Sequence, residues 1–381
     1  MSEASWYIDQ LARNDKIVIY GDEDVDGVTS SIIIKEALER KGFSNIKVIF
    51  CFQEEGHGFN MASLDYVEKE NPRLIIMVDL GISDNEAVAA ARDKGFELII
   101  IDHHEPLSND LPPANFIINP KQSKDDYSFK KLAAAGLCYH FALWLLKNDP
   151  DIDILSDRFV ELAGLATIAD MMPIEEDNLD IVNRAMDVLP NTSRSPIRFL
   201  LERYLKEDIV LREAIQRLIT VLNASQVNNQ RMAESFLVLT ENCLSEISKI
   251  VEILEKRSFE HFRLREEIML EAERRLNEEN LLSNIIFIGD DNWPRRVLAS
   301  VAARLASNYQ RPVFVYCQGE TTSRGSARAP EGIDCVSLMN NCSKHLVNFG
   351  GHPPAAGFEV KNEDLQRLHI CLIESYQKLY G

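Results

Sequence analysis

The sequence has no uninterrupted apolar stretch of about 18 residues, the length that a membrane-spanning helix requires. Residues 1–16 are polar and of mixed charge, and they lack the apolar centre of a secretory signal peptide. Cysteine is sparse as well, because its 7 copies are scattered along 381 residues and no two are spaced as CxxC. We therefore expect a cytoplasmic protein with reduced, mostly buried thiols and without a zinc site or a disulfide framework.

Basic residues are also in short supply, since 41 Lys and Arg stand against 60 Asp and Glu and give a net charge of −19. A surface that wraps long duplex nucleic acid normally needs the opposite balance, because neutralising phosphates supplies most of the non-specific affinity. A nucleic acid partner would therefore have to be short, or be held locally by a few arginines and metal ions. The acidic surface also suits a basic partner protein, although a solvated acidic surface is the commoner explanation.

Short apolar runs alternate with helix-length segments in the first half of the chain. Continuous Ile and Val runs separated by helices indicate a parallel sheet that is covered on both faces. The predicted strands are residues 16–20, 47–52, 74–78, 98–101 and 116–118. The predicted helices between and after them are residues 29–40, 85–94, 132–149 and 156–170.

The second half of the chain begins with a wholly helical region. Residues 244–282 contain neither Gly nor Pro and predict one long connecting helix. A second α/β pattern follows it and ends in two Gly-rich segments, at 323–334 and 349–358. Its predicted elements are strands at 284–288 and 312–316 and a helix at 297–307.

These patterns together predict an α/β protein of two lobes joined by a helical linker. The parallel-sheet domain would occupy residues 1–195, the linker 196–282 and the smaller second domain 283–381. We expect a substrate to bind in a cleft between the two lobes, the usual position for a ligand in such an architecture.

Acidic and histidine side chains stand at the ends of three predicted strands and one predicted helix. They are Asp22, Asp24 and Asp26 after the first strand, Asp79 after the third, Asp102, His103 and His104 after the fourth, and Asp170 where an apolar helix stops. Open α/β sheets bind ligands at the carboxyl ends of their strands, so we expect these groups to converge. Any one of them alone would be read as a helix cap or a turn residue.

So many carboxylates in one place would repel one another unless cations neutralised them. Carboxylate oxygens mixed with imidazole suit Mn²⁺ or Mg²⁺ better than a closed structural zinc site. Two such ions about 3.5–4 Å apart can activate a water and stabilise both oxygens of an in-line displacement at phosphorus. The cluster therefore predicts hydrolysis of a phosphoester without a serine, cysteine or lysine nucleophile.

The motifs resemble those of the DHH phosphoesterase family, and within it the RecJ-like nucleases. The segments that carry the resemblance, in family order, are GDEDVDG (21–27), VDLGIS (78–83), IDHHEP (101–106), INP (118–120), YSFKKLAAAGL (127–137), GLATIADMMP (164–173), GSARAPEGID (325–334) and GGHPPAAGF (350–358). The resemblance implies that residues 1–195 are a DHH catalytic domain and residues 283–381 a DHH-associated, substrate-binding domain.

The resemblance also implies roles for individual residues. The implied metal ligands are Asp24, Asp26, Asp79, His103 and Asp170. Asp79 would bridge the two ions, His104 would face the scissile phosphate, and Asp22 would orient a ligand or a water. The implied substrate-binding residues are Ser326, Arg328, Gly350, Gly351 and His352.

The function implied is that of a Mn²⁺- or Mg²⁺-dependent exonuclease on single-stranded DNA or RNA. One alternative is a nanoRNase or nucleotide phosphatase that acts on short oligonucleotides or on 3′-phosphoadenosine phosphate. Another is a non-catalytic scaffold of the replicative helicase. The expected absence of an oligonucleotide-binding module after the second domain resembles the shorter archaeal RecJ-like proteins, which implies GINS as a partner.

Overall fold

The computed structural model describes residues 1–52, 55–56, 58–106, 110–123, 125–278 and 283–381. It divides into two compact units, Met1–Ser258 and Phe259–Gly381. The division falls inside the long helix, whereas the three-part arrangement expected from the sequence remains a prediction. Within the described ranges, no helix combines the length and the apolar character needed to cross a bilayer.

A five-stranded parallel sheet forms the centre of the first unit. Its strands are β1 (Ile17–Gly21), β2 (Ile46–Phe50), β3 (Leu74–Val78), β4 (Glu97–Ile101) and β5 (Phe116–Ile118). The strand order is β2-β1-β3-β4-β5, and every neighbouring pair is parallel. The chain passes from β1 to β2 on one side and then crosses to β3 on the other side of β1. The switch point of the topology therefore lies between β1 and β3.

Helices cover both faces of this sheet, as the continuous Ile and Val runs predicted. The helices of the first unit are α1 (Ser2–Gln10), α2 (Val25–Arg40), α3 (Met61–Glu68), α4 (Asn85–Asp93), α5 (Ala134–Leu145), α6 (Ile152–Ala169), α7 (Glu176–Val188), α8 (Ser195–Tyr204), α9 (Leu211–Leu222) and α10 (Glu234–Thr240). Successive strand residues point to opposite faces, so Ile19 packs in the cluster with α2, α5 and α6 while Val18 packs in the cluster with α3 and α4.

The long helix α11 (Leu244–Glu278) belongs to both units. Val251 and Leu254, in its first part, are buried in the core of the first unit, whereas Ala272 and Leu276, in its last part, are buried in the second. The sequence predicted a single helix over 244–282, of which residues 279–282 lie outside the described residues.

A mixed five-stranded sheet forms the second unit. Its strands are β6 (Ile286–Asp290), β7 (Val313–Gln318), β8 (Thr322–Arg328), β9 (Asn348–His352) and β10 (Ala355–Lys361), in the order β6-β7-β8-β10-β9. Only the β6–β7 pair is parallel among these neighbours. The helices are α12 (Arg295–Tyr309), α13 (Cys335–Asn341) and α14 (Leu365–Tyr380). The two Gly-rich segments thus contribute three antiparallel strands.

The expectation that every cysteine is reduced is wrong for one pair. Cys342 follows α13 directly and Cys371 lies on α14, and the two form a disulfide with their Cα atoms 5.8 Å apart. That separation lies within the usual range for a disulfide. Packing of α13 against α14 brings together residues that are 29 positions apart, which the spacing of the cysteines could not indicate. Cys51, Cys138 and Cys335 are buried thiols, as expected.

Candidate metal centre

The candidate metal centre lies at the carboxyl ends of the parallel strands, beside the β1/β3 switch point. The acidic residues of GDEDVDG follow β1, Asp79 follows β3, and His103 lies just beyond β4. Asp170 is the residue at which α6 ends. The predicted convergence of these segments is therefore present in the first unit.

Local geometry explains why glycine follows the third aspartate of the first motif. Asp24 is the N-cap of α2, and its carboxylate accepts a hydrogen bond of 3.0 Å from the backbone N–H of Gly27. A Cβ at position 27 would lie 2.4 Å from the carbonyl oxygen of Asp22. Glycine therefore lets the first turn of α2 pack against the Asp22 backbone, which keeps both aspartates at the end of β1.

Asp79 has a backbone conformation that few non-glycine residues adopt. Its φ is +63°, in the left-handed region, while its backbone N–H donates a 2.9 Å hydrogen bond to Ile101 on the neighbouring strand. Such strain persists only where the surrounding structure enforces it, and it concentrates at functional sites.

His103 is the centre of the cluster. Its Nε2 atom lies 3.3 Å from Asp79 Oδ1, 3.7 Å from Asp170 Oδ2 and 3.9 Å from Asp26 Oδ2. The other ring nitrogen, Nδ1, is 3.1 Å from the carbonyl oxygen of Leu132. When Nδ1–H donates to that carbonyl, Nε2 presents a lone pair to the carboxylates, which is the arrangement of a metal-ligating histidine.

Asp26 joins the cluster to the start of α5. Its two carboxylate oxygens each accept a 2.7 Å hydrogen bond, one from the backbone N–H of Ala134 and the other from that of Ala135. Burial and the nearby carboxylates of Asp170 and Asp24 nevertheless raise the pKa of Asp26 well above its ordinary value. The two N–H donors therefore fix the position of the side chain but offset only part of the cost of burying its charge.

Asp102 holds the second histidine of the motif. Its Oδ1 atom accepts hydrogen bonds from the backbone N–H of His104, at 3.0 Å, and from His104 Nδ1, at 2.8 Å, and its Oδ2 accepts one from Ile82. Burial alone would lower the pKa of His104, but the Asp102 carboxylate raises it to about 9. His104 is therefore held in one orientation and favours its protonated form in the metal-free protein.

The donor set fits divalent cations. In the described part of the chain, three overlapping groups have ligand atoms within 4.8 Å of one another: Asp22 with Asp24 and Asp79, Asp26 with His103 and Asp170, and Asp79 with His103 and His104. Asp79 Oδ1 and Asp170 Oδ2 are buried and accept no hydrogen bond from the described residues, so each has a lone pair directed into the cluster.

The electrostatics of the cluster also indicate a site for cations. Burial, reinforced by neighbouring aspartates, raises the pKa of Asp79 well above its ordinary value and that of Asp170 to about 7. A group of carboxyls that resist ionisation in this way is stabilised by positive charge supplied from outside the protein.

The five substrate-binding residues predicted from the resemblance lie together at one end of the second sheet. Ser326 and Arg328 are on β8, Gly350 and Gly351 are on β9, and β10 pairs with both strands, so that Ala355 faces Arg328 on one side and His352 on the other. Arg328 Nη1 donates 2.9 Å to Ser326 Oγ. Gly351 has a φ of +134°, and a Cβ there would lie 2.5 Å from the carbonyl oxygen of Ala355.

The sequence did not identify several groups that hold these side chains. The carbonyl of Leu132 and the N–H groups of Ala134 and Ala135 are main-chain atoms, so residue type carries no sign of their role. The sequence places Asp102 in the third motif without indicating its role, which is to hold Nδ1 of His104.

Comparison with known proteins matches two segments of the chain to known domain families. Residues 16–167 match the DHH family, N-terminal domain, and residues 279–377 match the DHHA1 domain. The single-stranded-DNA-specific exonuclease RecJ of Bacillus subtilis (strain 168) is 30% identical over 383 aligned residues, covering 98% of this chain and 47% of the relative. The chain thus spans about half the length of that relative.

Two solved structures have the same fold. RecJ of Thermus thermophilus, in complex with Mn²⁺, superposes with a TM-score of 0.82 at 22% identity, covering 99% of this chain and 54% of that one. An exonuclease RecJ bound to manganese superposes with a TM-score of 0.79 at 23% identity, covering 100% of this chain and 94% of that one.

Proposed function

Because this chain belongs to the DHH family, in its RecJ-like branch, we propose that it is a metal-dependent phosphodiesterase acting as an exonuclease on single-stranded DNA. The observation that carries the proposal is the gathering of Asp26, Asp79 and Asp170 within 3.9 Å of one nitrogen of His103. These acids come from three separate segments, and burial beside one another raises the pKa of each, so the ionised cluster is destabilising without cations.

Two divalent ions, Mn²⁺ or Mg²⁺, are the proposed cofactors. Asp22, Asp24 and Asp79 would hold one ion and Asp26, His103 and Asp170 the other, with Asp79 shared between them. Bound ions supply the activation of water at neutral pH and the neutralisation of charge on the phosphate. Support comes from the lone pairs of the buried Asp79 and Asp170 oxygens and from RecJ structures that contain Mn²⁺ or Mg²⁺.

The protein's own groups supply orientation and charge. Asp102 fixes Nδ1 of His104, so the opposite nitrogen, Nε2, can donate a hydrogen bond to a phosphate oxygen as its charge grows. Ser326 and Arg328, with the backbone of Gly350, Gly351 and His352, would hold another phosphate of the strand. Glycine at two of these positions lets main-chain N–H groups approach an anion closely.

The direct test is a time course with end-labelled oligonucleotides in Mn²⁺, with EDTA as the metal-free control. We expect stepwise shortening of a single-stranded 20-mer of DNA and little cleavage of the matching duplex. An RNA 20-mer and a dinucleotide, run in parallel, separate an exonuclease from a nanoRNase. Cleavage limited to the dinucleotide, or no Mn²⁺-dependent cleavage at all, would contradict the proposed function.

A replication partner is a second, separate part of the proposal. The net charge of −19 favours a partner protein with a basic surface, and we propose a GINS component of the replicative helicase as that partner. A pull-down with purified GINS subunits tests this independently of nuclease activity. Absence of binding at low salt, where charge attraction is strongest, would remove this part of the proposal.

A further inference from the structure

One lysine stands beside the candidate metal centre without a role in the proposed function. Lys121 lies three residues beyond the end of β5, at the same edge of the parallel sheet as the acidic cluster. Its side chain is only 13% exposed. Burying a lysine costs free energy unless its charge is used, and the neighbouring cluster consists mainly of acids.

The turn that carries Lys121 is fixed to the DHH motif. Asn119 is buried, its Nδ2 donates 2.9 Å to the carbonyl oxygen of His104, and its Oδ1 accepts 2.8 Å from the backbone N–H of Lys121. Gln122 Nε2 donates 2.9 Å to the Asn119 carbonyl, and Pro120 fixes the intervening φ. The position of Lys121 is therefore determined by the segment that holds His104.

The ion pair of Lys121 with Glu105, the contact seen among the described residues, leaves N–H donors of the ammonium for a ligand. It contacts Glu105 at 3.4 Å, but the Glu105 side chain is 49% exposed, and an ion pair at such a surface contributes little to stability. An ammonium has three N–H donors, more than one such ion pair can use. The positive charge of Lys121 also acts on Asp170. It lowers the pKa of that carboxyl, against the larger increase that burial causes.

We propose that Lys121 is a substrate-binding residue that holds a non-bridging oxygen of a phosphodiester group next to the candidate metal centre. The inference rests on the proposed function, since it needs a nucleic acid strand at the cluster. A phosphate there meets an acidic environment, so a fixed cation near Asp170 and His104 offsets repulsion that the bound metal ions do not remove. The ligand class is a single-stranded oligonucleotide, recognised through its backbone.

The test compares Lys121→Met with Lys130→Met on a single-stranded 20-mer in Mn²⁺. Lys130 is a matched control because it lies outside the cluster, is 38% exposed and pairs with Asp125. We expect Lys121→Met to lower kcat/KM by about tenfold, through KM. The slope of log(1/KM) against log[salt], which is negative, should become less negative by about 0.7, the change for one lost phosphate contact on a single strand. Lys130→Met should change neither quantity. Lys121→Arg, which keeps the positive charge, should retain most of the wild-type kcat/KM.

Glu105→Gln separates substrate binding from a structural ion pair. If Lys121 serves the substrate, removing its acidic neighbour leaves KM unchanged or lowers it. If Glu105→Gln reproduces the defect of Lys121→Met, or if Lys121→Met keeps the wild-type KM and salt slope, the inference is overturned.

Binding measured without turnover distinguishes this inference from the proposed function. Fluorescence anisotropy of a labelled 20-mer is recorded with Ca²⁺ in place of Mn²⁺. Binding that weakens in Lys121→Met supports the inference even if the wild-type protein proves unable to cleave DNA. Equal binding by both proteins contradicts it, whether or not cleavage occurs.

Discussion

The Asp79 carboxyl is buried, and its ionisation is opposed by the negative charges of Asp22, Asp24, Asp26 and Asp170. Its backbone is strained, with a φ of +63°, and no described residue donates a hydrogen bond to its Oδ1 atom. Removing this side chain should therefore cost the metal-free fold very little, because nothing in the described part of the first unit is hydrogen-bonded to that oxygen. A cation, by contrast, would lose a ligand that lies at the centre of the cluster.

Replacing Asp79 with alanine should abolish hydrolysis while the protein remains folded. We expect a loss of at least about 10³-fold in kcat, as for removal of an essential electrostatic group, and a metal-free Tm equal to or above that of the wild type. Differential scanning fluorimetry with and without Mn²⁺ should also detect the loss of metal-induced stabilisation. Asp93→Ala, on the exposed end of α4, is the control. Full activity in a pure Asp79→Ala preparation would refute the assignment of Asp79.

The same carboxyls set the pH dependence of the metal-free protein. Burial raises the pKa of Asp170 to about 7, and those of Asp26 and Asp79 also rise. A raised carboxyl pKa means that the native state binds more protons than the unfolded state between the two pKa values, so stability falls as pH increases through that interval. For Asp170 the interval extends from about 4 to about 7.

Metal binding should therefore depend on pH in a defined direction. After chelation of metal ions, the Tm should be higher at pH 5.5 than at pH 7.5, because the carboxyls of the cluster set the pH dependence of stability. The stabilisation by Mn²⁺ should be larger at pH 7.5, because an ion must displace bound protons at pH 5.5. Calorimetric titrations in two buffers of different ionisation enthalpy should detect the release of protons. Metal binding of equal strength at both pH values would contradict the prediction.

Elements, rather than single residues, determine how much of the fold was predictable. The strands β1, β3 and β4 are apolar runs buried on both faces, so their sequences alone indicated a parallel sheet and the edge at which ligands bind. The positions of Asp79 and His103 followed from that edge. Strands β8 and β9 contain Ser, Arg and Gly, and pairing with β10 rather than their own composition makes them strands.

Contacts between distant segments could not be predicted. The bonds from Ala134 and Ala135 to Asp26 join positions more than 100 residues apart through main-chain atoms that every residue possesses. The Cys342–Cys371 disulfide likewise depends on how α13 and α14 pack. Neither arrangement leaves a trace in composition or spacing, so each had to be read from the structure.

The first turn of α2 gives a prediction about an element. Gly27→Ala would place a Cβ 2.4 Å from the Asp22 carbonyl oxygen, a backbone atom that cannot move without shifting the end of β1. We expect a loss of about 1–3 kcal/mol in the free energy of unfolding, measured by urea denaturation, together with weaker Mn²⁺ binding. Gly357→Ala is the control, because the nearest atom to a Cβ there is 3.9 Å away. Equal stabilities of the two variants would show that α2 tolerates the displacement.

The residues proposed to bind metal and those proposed to bind the strand belong to different compact units. The acidic cluster is built entirely from residues of Met1–Ser258. The proposed substrate-binding residues Ser326 and Arg328, on β8, belong to Phe259–Gly381. Metal binding should therefore depend on the first unit alone, while binding of the strand should need both. Changes in the second unit should affect the concentration of substrate required and leave the metal centre intact.

Arg328→Ala tests this separation. Arg328 is held by Ser326 Oγ and the Ala327 carbonyl, so its removal leaves the β8–β10 pairing intact. We expect KM for a single-stranded 20-mer to rise about tenfold or more, since a charged hydrogen bond to phosphate is lost, with kcat nearly unchanged. The increase in Tm on adding Mn²⁺ should equal that of the wild type. Arg367→Ala, on the exposed face of α14, should alter neither quantity. A smaller Mn²⁺-induced shift in Arg328→Ala would mean that the two units do not act separately in binding metal.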